Sequence, residues 1–315
     1  MVQNTAINVV VNYTMNKLLI SIVGPTAIGK TSLSIKLAKY FNSEIISADS
    51  RQFYKEMTIG TAVPSKEELN AAPHHFIQNK SITDNFNVGD FEREAISKIK
   101  ELHKKNPVVI MVGGSGLYVK AVAKGLDYFP DVDANIRLQL NKELESKGLK
   151  SLQTQLHNLD PQTYKTIAID NPQRIIRALE ICIGTGQPYS SFLTNPKKVR
   201  AFKTITIGLN AERSIIYDRI NQRVDIMMAN GLLDEVESLI THKQLNALNT
   251  VGYKELFNYF EGNWSLDFAI SEIKKNTRRF AKRQLTWFKK EESIKWFDYE
   301  TNVSEIISYI NSIEE

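Results

Sequence analysis

Leu18-Leu19-Ile20-Ser21-Ile22-Val23 runs straight into Gly24-Pro25-Thr26-Ala27-Ile28-Gly29-Lys30-Thr31. The first six residues are short, apolar and stopped by Gly-Pro, which reads as a buried strand. The next eight match G-x-x-x-x-G-K-[ST], a loop for gripping phosphates. Glycines let backbone N–H groups turn inward around phosphate oxygens, and the helix that follows offers its positive end. Lys30 adds a mobile positive charge, and Thr31 brings a hydroxyl that can hold Mg²⁺. A helix is expected from about Lys30 to Tyr40, with Leu33, Leu37 and Phe41 on one stripe. All of Gly24 to Thr31 (Gly24, Pro25, Thr26, Ala27, Ile28, Gly29, Lys30, Thr31) are therefore candidate polyphosphate ligands. The pattern alone does not say which polyphosphate.

Working outward, Glu44–Ala48 reads as a second strand with Asp49 at its carboxyl end. Phe91–Lys104 has helical spacing, and Pro107–Val112 is a third strand closed by Gly113-Gly114-Ser115-Gly116. Strands alternating with helices predict a parallel sheet, with ligands beyond the carboxyl ends of the strands. From about Gly125 to Arg200 the strand pattern disappears. Helices are expected over Asn135–Lys147 and Leu149–Leu159, from Asp160-Pro161, and from the cap Asn171-Pro172 to near Gly184. Strand pattern returns at Thr204–Leu209. Helices follow over about 213–229, 232–241 and 266–290, and then a last strand at Ile294–Phe297. The expected fold class is α/β: a P-loop NTPase-like parallel sheet core flanked by helices over 17–124 and 201–315, with an all-helical insertion domain over 125–200. Residues 1–16 hold no Asp, Glu, Lys or Arg and lack the marks of a signal or transit peptide. They are expected to be a disordered tail, with strand character only at Val9-Val10-Val11.

The 315 residues suffice for about two domains. Apolar residues at 42% and charged residues at 24% are ordinary for a globular protein. A lone cysteine, Cys182, excludes an internal disulfide framework and a Cys-rich zinc module, and fits a reducing compartment. No apolar run approaches the 18 residues of a membrane span, so no membrane is expected and the cytoplasm is the expected location. The net charge of +5 is mild, so its placement matters more than its total.

A P-loop ATPase or kinase usually adds a Mg²⁺-holding acid at the end of another apolar strand. Here the strand over 107–112 ends in glycines, and the best-placed strand-end acid is Asp49. An acid there can serve as a metal ligand, a base for an incoming nucleophile, or a simple helix cap.

At this point several blocks, in order from about residue 18 to 298, resemble the tRNA dimethylallyltransferase (tRNA isopentenyltransferase) family. They are Gly24–Thr31, Ile46–Tyr54, Ile59–Ala62, Ala72–His75, Val112–Tyr118, Asn171–Arg174 with Arg177–Glu180, Val251–Lys254 and Lys282–Phe288. The resemblance implies transfer of a dimethylallyl group from dimethylallyl diphosphate to the exocyclic amine of an adenosine beside the tRNA anticodon. It puts the diphosphate on the P-loop, with Arg223 on the pyrophosphate and Arg219 beside it. Asp49 would be the base, Ser115 a hydrogen-bonding partner near the same amine, and Lys30 and Arg223 the groups facing the leaving charge. Mg²⁺ would sit on Thr31. The implied RNA contacts are Asp49, Ser50, Arg51, Gln52 and Ser115, Gln173, Arg174, Ile175, Ile176 and Arg177, and Val251, Gly252, Tyr253 and Lys254. The chain is expected to work as a monomer on the anticodon stem-loop.

The segment Lys274–Lys290 contains no acid. On a helix, Lys275, Arg278, Arg279 and Lys282 share one face, joined by Arg283, Gln284 and Trp287 as candidate RNA contacts, while Ile273, Phe280 and Trp287 are expected to form the apolar side. His74-His75 lacks further spaced ligands and points to a structural or loop role rather than a metal. Three rivals stay open on residues alone: an adenylate isopentenyltransferase using free nucleotide, a small-metabolite kinase, and a non-enzymatic RNA-binding protein.

Overall fold

The structure is a computed structural model and describes residues 17–194 and 199–314. The tail and its Val9–Val11 stretch lie outside these residues. The chain divides into two compact units, with the breaks after Ala123 and before Val199.

In the first unit the chain order is β1 (Leu18–Val23), α1 (Lys30–Tyr40), β2 (Ile45–Ser47), α2 (Lys66–Ala71), β3 (His74–His75), α3 (Val88–Leu102), β4 (Val108–Val112) and α4 (Gly116–Lys124). The second unit contains α5 (Ala134–Lys147), α6 (Leu149–Leu159), α7 (Pro161–Thr166) and α8 (Pro172–Thr185). The first unit then resumes with β5 (Lys203–Asn210), α9 (Arg213–Ala229), α10 (Leu232–Glu237), α11 (Tyr253–Phe260), α12 (Leu266–Phe288), β6 (Ile294–Asp298) and α13 (Val303–Glu314).

The strands form one parallel sheet in the order β3-β2-β4-β1-β5-β6. A parallel sheet covered on both faces needs strands apolar on both sides. β1 and β4 meet that need. Leu18, Ile20, Ile22, Val108, Ile110 and Val112 pack on one face with α1, α9 and α13 residues. Leu19, Val23, Val109 and Met111 pack on the other with Phe91, Ala95 and Ile99 of α3 and Val119 and Val122 of α4. A third cluster joins Tyr54 and Met57 to Val224, Leu232, Val236, Tyr253, Leu256 and Ile273, which fixes the loop after β2 against α9–α12.

His74-His75 forms the short edge strand β3, with His75 against Glu44 at 2.6 Å. The apolar side of α12 differs from the seven-residue spacing: Ala269, Ile273, Ala281, Gln284 and Phe288 are buried, whereas Phe280 and Trp287 are exposed.

In the helical unit, Leu140, Leu152, Leu156, Ile175, Ile176, Ala178 and Leu179 form the core. Asp160 is buried and caps α7. Its carboxylate accepts from the Thr163 N–H and hydroxyl at 2.9 and 2.6 Å and from the Ser190 N–H and hydroxyl at 2.7 and 3.0 Å. Burial alone would raise the Asp160 pKa, but these donors outweigh it and hold the group below its ordinary value. Its contribution to stability is therefore complete at neutral pH and is lost as pH falls through that depressed value. Asp160→Ala strands buried donors and should destabilise the protein by about 2–4 kcal/mol. Urea unfolding at neutral pH measures this, and the gap between variant and wild type should narrow in acid.

Candidate active site

The loop between β1 and α1 curls over the carboxyl edge of the sheet, and Gly29 caps α1 in a left-handed conformation. Lys30 folds back along this loop, its Nζ donating to the Pro25 carbonyl at 2.7 Å. Burial, chiefly, lowers its pKa to about 8. The Arg223 cation pushes the same way and Asp49 opposes. Arg223, from α9, lies 3.4 Å from Thr26 Oγ1. Its pKa is also lowered, first by burial and then by Arg219, with Glu68 and Asp49 opposing. Two half-buried cations beside each other on a cavity wall favour an incoming anion. Arg219 takes the outer side of the loop: its Nε donates to the Ala27 carbonyl at 2.8 Å, and its guanidinium lies over Tyr299.

Asp49 follows β2. One carboxylate oxygen accepts from the Arg51 N–H at 3.0 Å, a local Asx turn, and no helix begins there. Oδ2 has no hydrogen-bond partner among the described residues. Asp49, Lys30, Thr31 and Arg223 line one cavity of about 490 Å³ with an apolar wall that includes Ile59, Val63, Ile226 and Met227. Ser115, at the end of β4, accepts from the Ser50 N–H at 3.0 Å and lies 3.1 Å from the Ser50 hydroxyl. This bond ties the β4 loop to the Asp49 loop.

Two further side chains frame the cavity. Gln284 is buried on α12, where its Oε1 accepts from the Thr26 N–H at 2.9 Å and its Nε2 donates to the Gly114 carbonyl at 3.0 Å. The carboxylate of Glu235 accepts from the N–H groups of Thr58, Ile59 and Gly60 at 2.7–2.9 Å and from the Tyr253 hydroxyl at 2.6 Å. Gly60 must be glycine because a Cβ there would sit 2.6 Å from the Tyr253 ring.

The family model for IPP transferase matches residues 52–291. A tRNA dimethylallyltransferase of Christiangramia forsetii is 63% identical over 298 residues, covering 95% of this chain and 99% of the relative. One from Flavobacterium johnsoniae is 62% identical, over 93% and 97%. The chain belongs to the IPP transferase family. Among solved structures, a tRNA isopentenylpyrophosphate transferase from Bacillus halodurans superposes with TM-score 0.71 at 39% identity, covering 95% of this chain and 97% of the other. A eukaryotic dimethylallyltransferase acting on tRNA gives TM-score 0.79 at 26% identity, over 94% and 79%. The family match begins just past Asp49, so the P-loop and Asp49 are covered by the long relatives rather than by the family model.

The remaining expected contacts divide by exposure. Gln173, Arg174 and Lys254 are exposed, and Val251 is half-buried. Ile175 and Ile176 are fully buried in the helical core, so their side chains hold α8 in place and do not present to RNA. Arg177 is half-buried, bonded to Glu180 at 2.8 Å and lying over Phe129. Tyr253 is fully buried on Glu235, and Gly252 serves as the N-cap of α11. Gln52 bridges Ser47 to the carbonyls of Thr61 and Ala62. Arg51 is pinned to the Asn246 and Ala247 carbonyls at 2.8 and 3.0 Å. Gln284 is likewise a brace and not a surface contact, and Trp287 lies against Gly116. Glu235 was not among the candidates, because no local pattern marks a carboxylate whose partners are backbone groups distant in sequence.

A Lys30 that is cationic below about pH 8 and neutral above it should bind pyrophosphate with an affinity that falls as pH rises through that value. Lys30→Met should remove the component of the pH dependence that belongs to the amine. Calorimetric titration of both proteins with pyrophosphate from pH 6.5 to 9, compared as a difference, isolates it from the ionisation of the ligand.

Proposed function

We propose that this protein transfers a dimethylallyl group from dimethylallyl diphosphate to the exocyclic N6 amine of the adenosine 3′ of the anticodon in tRNA, releasing pyrophosphate. The observation that carries this is the convergence of a phosphate loop, two half-buried cations and one half-free carboxylate on a single cavity with an apolar wall. The names of the long relatives and of the eukaryotic structure that acts on tRNA support the same choice over a kinase or a free-nucleotide enzyme.

The chemistry follows from the groups present. The adenine amine is a poor nucleophile because its lone pair is delocalised. As the bond forms between N6 and the allylic carbon, the bond from that carbon to the diphosphate oxygen breaks. Negative charge then grows on the leaving group, where Lys30, Arg223 and the N-terminus of α1 meet it. The N6 proton passes to the carboxylate of Asp49. Ile59, Val63, Ile226 and Met227 offer the donor's hydrocarbon a dry wall. Thr31 lines the cavity with a hydroxyl oxygen, the kind of ligand a hard Mg²⁺ takes. Among the described residues no three His, Cys, Asp or Glu side chains group to hold an ion alone. Mg²⁺ would thus rest on Thr31 and on diphosphate oxygens, supplying further neutralisation of the leaving charge.

The RNA side rests on α12 and on exposed groups of α8, namely Gln173 and Arg174. Lys275 pairs with Glu272, Lys274 with Asp225, and Arg278 with Asn221 at 2.7 Å, so half of the expected stripe is engaged within the protein. Arg279, Lys282 and Arg283 remain exposed for phosphates. The reading takes the chain as a monomer acting on the anticodon stem-loop in the cytoplasm, and the tRNA named for the relatives supports that location. No helix among the described residues is long and apolar enough to cross a membrane.

Labelled dimethylallyl diphosphate, offered with unmodified tRNA or with AMP and without ATP, should label the tRNA alone. Label on AMP, or an absolute need for ATP, would contradict the proposal. Asp49→Asn keeps the size of the side chain and removes its proton affinity, so single-turnover transfer should fall by at least about 10²-fold while tRNA still binds. Replacing Arg279, Lys282 and Arg283 together with Gln should reduce the slope of log tRNA affinity against log salt by about two units, at roughly 0.7 per single-stranded phosphate contact. Filter binding at several salt concentrations reads this, and an unchanged slope would move the RNA surface elsewhere.

A further inference from the structure

We propose that Gln284 is a positioning residue for transfer: its one amide locks the phosphate loop to the glycine loop after β4 and so sets the separation between the donor grip and the acceptor side. The inference rests on the function proposed above.

The geometry is specific to the P-loop peptide that joins Pro25 to Thr26. Its N–H donates to Gln284 Oε1 at 2.9 Å, and its C=O accepts from Lys30 Nζ at 2.7 Å. A peptide unit is planar, so fixing the N–H fixes the carbonyl. Gln284 therefore determines where Lys30 is parked. The other half of the same amide donates to the Gly114 carbonyl at 3.0 Å. Next along the chain, Ser115 bonds the Ser50 N–H at 3.0 Å, immediately after Asp49. Beyond the sheet ladder that joins β1, β4 and β2, the side-chain path from the lysine that meets the leaving group to the loop of the carboxylate that takes the proton runs through Gln284 and then Ser115.

The position calls for an acceptor and a donor at one site, which a carboxamide supplies and a carboxylate or hydrocarbon does not. It also calls for glycine opposite: a Cβ on residue 114 would sit 2.2 Å from Gln284 Nε2, with no other neighbour closer than 3.3 Å. Gln284 is 6% exposed, so it is shielded from solvent and presents little surface to RNA. The basic residues of α12 flank it on the outer face. The same helix therefore presents cations outward and holds the catalytic loops inward.

The test uses Gln284→Met, which keeps length and loses both hydrogen bonds, and Gly114→Ala, which displaces the amide from the opposite side. With both substrates saturating, single-turnover transfer should fall by about 10–100-fold in each variant, as misplacement by about an ångström can cost 10²-fold. Affinity for tRNA should stay within about twofold. The two losses should not multiply in the double variant, since a shared contact cannot be lost twice. Pyrophosphate affinity supplies a readout that needs no transfer and should weaken in Gln284→Met because Lys30 loses its fixed partner. Reduced tRNA affinity with an intact rate would make Gln284 an RNA contact and overturn the proposal. So would multiplicative losses, or unchanged pyrophosphate affinity in a folded variant. A wild type that binds pyrophosphate but transfers nothing would instead count against the function itself, and the pyrophosphate comparison would still decide the role of Gln284. If Gln284→Met fails to fold, Gly114→Ala carries the same comparison.

Discussion

Lys30 and Arg223 are two half-buried positive charges beside each other on the wall of one cavity, and much of the surrounding architecture serves to hold them there. An uncompensated buried cation is costly, and a neighbouring one makes it worse. The fold offsets this in part: the Pro25 carbonyl accepts from Lys30, the Thr26 hydroxyl faces Arg223, and Asp49 and Glu68 act on the pair through space. What remains is satisfied by a polyanion. The constraint explains why the loop is braced so heavily, by Arg219 from α9 and by Gln284 from α12.

The same economy governs the acceptor side. Glu235 gathers three consecutive backbone N–H groups and a tyrosine hydroxyl, which makes a cavity wall out of a turn with no regular structure. Gln52 closes the next part of that turn. The Glu235 carboxylate is matched by four donors, and the neutral Gln52 amide donates to two carbonyls, so both fix the geometry of this turn. Asp49 is the exception: with one oxygen in an Asx turn and the other without a partner among the described residues, it is oriented and still able to accept a proton.

The sequence carried the sheet and its long helices because each has a period. α1 and α9 match their expected spans, and the helices of the second unit follow their Asn-Pro and Asp-Pro caps. Short elements were not seen: β3 has two residues, α2 six and α11 eight, and α4 starts at a glycine. The P-loop and Asp49 were legible because their chemistry is local. Tyr253 was assigned to RNA by the resemblance and Gln284 with its basic block, and only tertiary structure shows that both are buried. Ile175 and Ile176 carried a warning in plain view. Together with Ala178, Leu179 and Cys182 they trace the apolar stripe of one amphipathic helix, which is the pattern of a core.

The central claim is that donor and acceptor meet in the cavity over the P-loop. A crystal structure with a dimethylallyl thiolodiphosphate, whose bridging sulfur resists ionisation, tests it most directly. The account predicts the diphosphate within hydrogen-bonding distance of Lys30 Nζ, Arg223 and the N-terminal amides of α1, with the allylic carbon turned toward Asp49. A diphosphate bound away from Lys30 and Arg223, or an allylic carbon on the far side of the loop from Asp49, would contradict it.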